Sequence, residues 1–302
     1  MLKIFDKTVT MNHFNKKINM KSEQQFKPFI KRVWGKRQLL SQFESLYPSF
    51  NPKKNLYFEP FLWWWAVFFD LRNRYWTWFH AYLCDINTEL INTYEVIRDN
   101  TEELIKQLKE YRYDKDFFLE IRAWDREENF QEKRSPIERA SRFIYLNKTC
   151  YNWMYRVNKS WYFNVPFWDI ASPNICNEET LYAAKDALQN TTIKNWYFFD
   201  IEDLVKKWDF AYFDPPYDVL STTSSFTDYI EWGFWWEDQI RLKECFDKVT
   251  EKWCNAMLSN HNTKRIQMLY EDYNQKVVSA KRFINSDATK RWAVEEIVVL
   301  NY

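Results

Sequence analysis

Glycine is nearly missing from this chain, which holds 2 in 302 residues where ordinary usage would be about 7%. A glycine-poor α/β or β-rich enzyme lacks its usual residues for positive φ. Either the fold avoids tight turns, or another residue stands where glycine belongs. Histidine is scarce too: His13, His80 and His261 are far apart and form no HExxH, which argues against a zinc peptidase or a His-based triad. Cys84, Cys150, Cys176, Cys245 and Cys254 include no CxxC pair, so no zinc site is expected and a reducing, cytoplasmic compartment is. The longest apolar run, Phe61 to Phe69, is nine residues, far short of the ~20 that span a bilayer. The N-terminus carries scattered Lys and no apolar signal segment. Excess charge is also lacking. A net charge of +1 excludes an acidic disordered chain and a strongly basic tail.

Tryptophan, by contrast, is abundant. The 17 Trp and 2 Gly together come to 19 residues, about 6% of the chain, close to the share glycine alone usually takes. The length suits one large or two modest domains, enough to bury a core without disulfides or metals.

Residues 1–25 are polar and read as an extension. Leu39, Leu40, Phe43 and Leu46 fall at helical spacing, ended by Pro48. A short strand from Asn55 leads into a helix over Ala66–Leu71, and Phe79–Cys84 reads as a second strand ending at Asp85. Leu90, Ile91, Tyr94 and Ile97 form one face of the next helix. This alternation predicts the start of a parallel α/β sheet. Residues 100–150 are highly charged and helical in pattern, and Ser135-Pro-Ile-Glu138 is a capping-box helix start. Strands are expected again at Ile193–Phe199, Phe210–Phe213, Cys254–Leu258, Lys276–Ala280 and Glu295–Leu300. The result is an α/β sheet domain, residues 26–92 and 186–302, interrupted by a mainly helical insertion, 93–185.

The sharpest chemical signal is Ala211-Tyr-Phe-Asp214-Pro215-Pro216-Tyr217. An apolar strand delivers a carboxylate, two prolines and an aromatic ring to its C-terminal end, where α/β folds bind ligands. The prolines fix φ and remove two N–H donors, leaving carbonyls to accept. An exocyclic amino group is a poor nucleophile because its lone pair is delocalised into the ring. Hydrogen bonds from that group to Asp214 and the Pro215 carbonyl would pull the nitrogen toward sp³ and free the pair. Tyr217 offers a face on which a base can stack.

Three further segments join it: Phe29-Ile-Lys-Arg-Val-Trp34-Gly35-Lys36-Arg37, Tyr57-Phe-Glu59-Pro60-Phe61-Leu-Trp63-Trp64-Trp65-Ala-Val-Phe-Phe, and Asp85-Ile-Asn87. In this order the four segments resemble the DNA adenine methyltransferases of the Dam type, from about Phe26 to Tyr302. The family motifs read F-L-K-W-x-G-G-K-R and E-P-F-x-G-G-G-A-x-F-F. Trp34, Trp63, Trp64 and Trp65 stand at family glycine positions. Trp153, Trp161, Trp168, Trp208 and Trp292 repeat the pattern, and Trp196 and Trp253 are further candidates. Three indoles of about 150–250 Å² each would fill the space a glycine turn leaves for a cofactor. We therefore expect glycine at these positions in the working protein. A UGA codon read as Gly in the source but rendered as Trp would produce the written sequence. An engineered Gly→Trp series and a real Trp-rich core are the alternatives.

The resemblance implies a class I methyltransferase fold, a Rossmann-like mixed sheet with helices on both faces. It implies an enzyme that transfers a methyl group from S-adenosylmethionine to N6 of a flipped adenine, without a metal. Asp214, Pro215, Pro216 and Tyr217 would be catalytic. Lys36, Glu59, Pro60, Phe61, Trp63, Trp65 and Asp85 would line the cofactor site. Arg32 and Tyr197 depart from the family pattern. The insertion would recognise duplex DNA, within GATC, through Tyr151, Asn152, Arg156 and Pro166, joined by Lys31. Phosphate contacts are expected from Arg134, Arg139, Arg142, Lys148 and Lys159. A monomer is expected, with a cognate restriction endonuclease as a partner and no membrane association. The alternatives are a non-catalytic DNA-binding protein of the same fold and an amino methyltransferase on another substrate such as cytosine N4.

Overall fold

The computed structural model describes residues 26–30, 36, 39–62, 66–218, 234–281 and 293–302. The N-terminal extension, Lys31, Arg32, Trp34, Trp63–Trp65 and Trp292 lie outside them.

Seven strands form one mixed sheet: β1 (Tyr57–Glu59), β2 (Ala81–Cys84), β3 (Thr191–Lys194), β4 (Phe210–Phe213), β5 (Asn255–His261), β6 (Asn274–Lys281) and β7 (Ala293–Leu300). Their order is β3-β2-β1-β4-β5-β7-β6. The first five pair in parallel, while β7 runs antiparallel to β5 and β6. Every residue of β1 and β4 is buried, which is why these central strands read as unbroken apolar runs rather than alternating ones. Among the described residues ten helices accompany them: α1 (Leu40–Phe43), α2 (Ala66–Tyr75), α3 (Thr88–Asp99), α4 (Thr101–Lys109), α5 (Lys115–Ala123), α6 (Phe130–Lys133), α7 (Pro136–Thr149), α8 (Glu178–Ala187), α9 (Trp236–Glu251) and α10 (Lys264–Leu269). Strand residues alternate between two cores. Tyr57, Phe210, Tyr212 and Met257 pack with Val67 and Leu71 of α2. Phe58, Ala211, Phe213 and Leu258 pack with Leu242 and Phe246 of α9. The mixed sheet with helices on both faces is thus the fold the sequence implies. Among the described residues no helix is long and apolar enough to cross a membrane.

Helices α3–α8 fill the connection between β2 and β3. The expected capping box opens α7: Glu138 N–H donates to Ser135 Oγ at 3.2 Å, and Ser135 N–H donates to Glu138 Oε2 at 2.9 Å. One strand is shorter than expected. β3 stops at Lys194, and Phe198–Ile201 form a 3-10 turn. Beyond the Cys84–Lys194 pair the β2 partner has ended. Asn195 instead donates to the Asp85 carbonyl, and Asp200 accepts from Tyr197 N–H. The helix around Leu39–Leu46 is also brief, with four α residues followed by a 3-10 turn.

The backbone explains the tryptophans. Nine described non-glycine residues have positive φ, and five of them are Trp76, Trp153, Trp161, Trp208 and Trp253. Trp is not a residue that favours left-handed backbone, whereas Asn tolerates it. Each occupies a motif that calls for glycine. Trp253 follows α9 at φ 60°. Its N–H donates to Thr250 O, and Cys254 N–H donates to Val249 O, the two bonds of a Schellman cap with its glycine position filled by Trp. Trp76 closes α2 by a single bond to Arg72 O, the simpler left-handed cap. Trp208, at φ 71°, is the third residue of a turn closed by Asp209 N–H to Lys206 O, the position where a type II turn takes glycine. Asn152 and Trp153, at φ 53° and 51°, are the centre of a turn closed by Met154 N–H to Tyr151 O. That is the Asn-Gly site of a type I′ turn. Trp161, at φ 64°, ends the Asn158–Tyr162 hairpin loop, again a left-handed site. Trp168 and Trp196 are not among the positive-φ residues, so their backbone makes no such demand.

Trp76 packs against the core, but three of these indoles do not form one. Trp161, Trp208 and Trp253 are 59%, 55% and 68% exposed. Replacing Trp208 or Trp253 with Gly is expected to stabilise the fold by about 1 kcal/mol each, the left-handed cost of a residue bearing Cβ less glycine's entropy. Trp124 is the control: its φ is −56° and Arg134 sits 4.1 Å over its ring, so Trp124→Gly should destabilise. Urea unfolding checks all three, and a loss of stability in Trp253→Gly would contradict the cap assignment.

Candidate active site

The strand order reverses between β1 and β4: β2 and β3 lie on one side, β5 on the other. The crevice at the C-terminal ends of such a pair is where open α/β sheets hold ligands. Glu59 ends β1, Asp85 follows β2 and Asp214 follows β4, so the topology gathers three carboxylates there. All three are buried.

Asp214 Oδ1 accepts from Lys36 Nζ at 2.5 Å. Asp214 Oδ2 is buried with no hydrogen-bond partner. Lys36 Nζ also donates to Tyr212 OH at 2.9 Å, which shares a hydrogen bond of 2.8 Å with Ser259 Oγ. Burial pushes the Asp214 carboxyl up to about 6 although the Lys36 charge pulls it down. Glu59 Oε2 accepts from Tyr57 OH at 2.5 Å, and its Oε1 has no partner. Burial above all, helped by the nearby Asp214 charge, raises the Glu59 carboxyl to about 8. Burial thus disfavours the charged form of both carboxyls, and more strongly that of Glu59. Buried acceptors without donors are costly and normally find partners. Two such atoms in one crevice mark a place for a ligand that brings donors or positive charge.

Asp85 already has work within the fold. Its Oδ2 accepts from Leu62 N–H at 3.1 Å and its Oδ1 from Asn87 N–H at 2.8 Å. It ties the turn after β1 to the start of α3, where Asn87 caps the Glu89 and Leu90 N–H groups. Pro60 is buried. The Phe61 ring stacks on Phe198 at 5.4 Å and 22° and meets Phe234 edge-on.

Pro215, Pro216 and Tyr217 follow as a braced loop. Gln239 Nε2 donates to Pro216 O at 2.8 Å. Tyr217 OH donates to Glu296 Oε2 at 2.8 Å, and Lys36 Nζ lies 4.9 Å from the Tyr217 ring centroid. Sequence reading misses Tyr57, Tyr212, Gln239, Asn260, His261 and Glu296. They come from strands and a helix whose pattern signals only burial or surface, and no local motif marks them.

The residues expected to read DNA meet on one short hairpin in the insertion. Tyr151 N–H donates to Pro166 O at 2.9 Å, and Cys150–Phe167 and Val157–Phe163 form antiparallel bridges. Arg156 Nε donates to Asn164 Oδ1 at 2.7 Å, and the Tyr151 ring is 47% exposed. Thus Tyr151, Asn152, Arg156 and Pro166 lie on one hairpin. The basic cluster needs correcting. Arg139 pairs with Glu89, Arg142 with Asp125, and Arg134 with Glu127 and Glu138. Lys148 is buried and donates to Phe29 O. Carboxylates close in space, unseen from the sequence, draw these charges into the fold, and only Lys159 of the five is exposed.

The D12 class N6 adenine-specific DNA methyltransferase family matches residues 35–284. The chain is 38% identical over 287 residues to the Type II methyltransferase M1.LlaDCHI of Lactococcus lactis subsp. cremoris, covering 93% of this chain and 98% of that protein. It is 37% identical to the Type II methyltransferase M.MjaIII of Methanocaldococcus jannaschii, over 91% and 99% of the two. With the DNA adenine methylase of Escherichia coli (strain K12) it shares 31% over 90% and 94%. A buried acidic crevice at the sheet's switch point and a match over most of the chain agree: this protein belongs to the D12 class N6 adenine-specific DNA methyltransferases.

Proposed function

We propose that the enzyme takes its methyl group from S-adenosylmethionine and delivers it to N6 of adenine within GATC. The observation that carries the proposal is the pair of orphaned acceptors, Asp214 Oδ2 and Glu59 Oε1, at the β1–β4 crevice. A cationic methyl donor suits that site, since positive charge beside Glu59 favours its ionised form. Glu59, Pro60, Phe61, Asp85 and the turn at residues 63–65 would hold it. S-adenosylmethionine, when bound, supplies an electrophilic methyl carbon and no metal is called on.

The chain's own groups do the rest. Lys36 fixes the Asp214 carboxylate through Oδ1 and leaves Oδ2 to accept from the target amino group. The Pro215 carbonyl accepts the second amino hydrogen, and the Tyr217 ring stacks on the flipped base. Positioning and directed acceptors then supply the catalysis.

Residues 93–185 act as the target-recognition unit in this reading. Arg156 contacts guanine through O6 and N7, Tyr151 enters the stack, Asn152 and Pro166 shape their hairpin, and Lys31 reaches an outer guanine. A cognate restriction endonuclease, a monomeric enzyme and a cytoplasmic setting complete the proposal. Each changed base pair in the target should slow methylation about 10- to 100-fold, the usual 1–3 kcal/mol per mismatch. Equal rates on GATC and GATC-free duplexes would sink the specificity.

The working chain, in this proposal, carries glycine at the family glycine positions. Five left-handed tryptophans in glycine motifs support it. TGG rather than TGA at codons 63–65 of the gene would rule out a decoding origin. We call the chain with glycine at these sites and at Trp76 and Trp253 the glycine form.

A further inference from the structure

One carboxylate beside the reaction centre has no part in the chemistry above. Glu296 on β7 accepts from the Tyr217 hydroxyl at 2.8 Å. Its partner across the β5–β7 ladder is His261, whose ring meets Tyr217 edge-on at 4.9 Å and 77°. His261 Nδ1 also lies 2.6 Å from Asp218 O. Two side chains of one cross-strand pair thus hold the tyrosine at its hydroxyl and its ring edge.

The loop backbone has separate anchors. Gln239 Nε2 donates to Pro216 O at 2.8 Å, and Asn260 Oδ1 accepts from Asp218 N–H at 2.9 Å. Asn260 Nδ2 in turn donates to Gln239 Oε1 at 3.1 Å. These bonds fix the path of Pro216–Asp218 without Glu296. What they leave undetermined is the rotation of the Tyr217 side chain. A hydrogen bond from a phenol to a carboxylate is strong and directional enough to choose one setting.

We propose that Glu296 is a positioning residue for methyl transfer, locking the Tyr217 ring at the angle on which the flipped base stacks. The inference rests on the reading of Tyr217 as the stacking platform.

Its test is a double-variant cycle in the full-length glycine form, assayed in single turnover on target duplex. Glu296→Ala and Tyr217→Phe should each slow transfer about tenfold through lost orientation, with KM for DNA unchanged. The double variant should be no slower than either single one, because both remove the same contact. Glu296→Gln, which still accepts from the hydroxyl, should recover most of the rate. A double variant about 100-fold slower, the product of independent effects, overturns the proposal, as does Glu296→Ala at the parental rate. A parent that does not methylate DNA at all would instead count against the catalytic reading. The cycle is then read by urea unfolding of the chain as written, where additive losses overturn the coupling and non-additive losses support it.

Discussion

Returning glycine to positions 63, 64 and 65 is expected to create measurable S-adenosylmethionine binding where the written chain has almost none. The turn follows Glu59 and leads into α2 at Ala66, and Leu62 N–H is already fixed on Asp85. A glycine turn lets backbone approach a cofactor closely, and three indoles would fill that space. Overfilling a well-packed site costs about 1–3 kcal/mol per intrusion, and 1.4 kcal/mol is tenfold in affinity. Affinity should therefore rise by on the order of 100-fold or more in the triple variant. Calorimetric titration of both chains decides it. Equal binding would show that the tryptophans leave the cofactor site open, and a written chain that binds DNA alone would act as the non-catalytic protein.

Asp214→Ala in the glycine form should lower single-turnover methylation by about 10²–10³ or more, the usual loss when one preorganised polar contact to the reacting group is removed. DNA binding should change little, because the hairpin proposed to read DNA lies in the insertion. The unfolding midpoint, in contrast, should fall, because the buried Lys36 loses its partner. The acceptor role of Asp214 requires the carboxylate, and burial holds that group's midpoint at about 6. Transfer should thus fall as pH drops through that value and level off above it. Sustained methylation by Asp214→Ala would remove this residue from the chemistry.

Much of this was legible in the chain because burial writes itself into composition. Phe210–Phe213 is apolar throughout since both faces are covered, and the Ser135–Glu138 cap needs only four residues. What stayed hidden depends on distance. Lys36 and Asp214 are 178 residues apart, and no pattern in either segment announces their contact. Glu296 sits in a strand where it resembles a surface charge, until the Tyr217 hydroxyl is seen against it. The same blindness misassigned Arg139 and Arg142: an arginine that serves Glu89 or Asp125 looks, in sequence, like one waiting for phosphate. The end of β3 fails for a different reason. Ile193–Phe199 is rich in strand-forming residues, but propensity cannot extend a strand past the end of its only neighbour.

The left-handed tryptophans reach beyond this protein to the cell that makes it. If their codons and that of Trp34 are UGA, that cell must charge a glycine tRNA whose anticodon pairs with UGA. It must also lack a release factor that terminates there. The gene placed unaltered in a host that reads UGA as stop would end at codon 34, before Lys36 and every strand of the sheet. Expression would yield a peptide of 33 residues, and recoding is the first step toward an active enzyme.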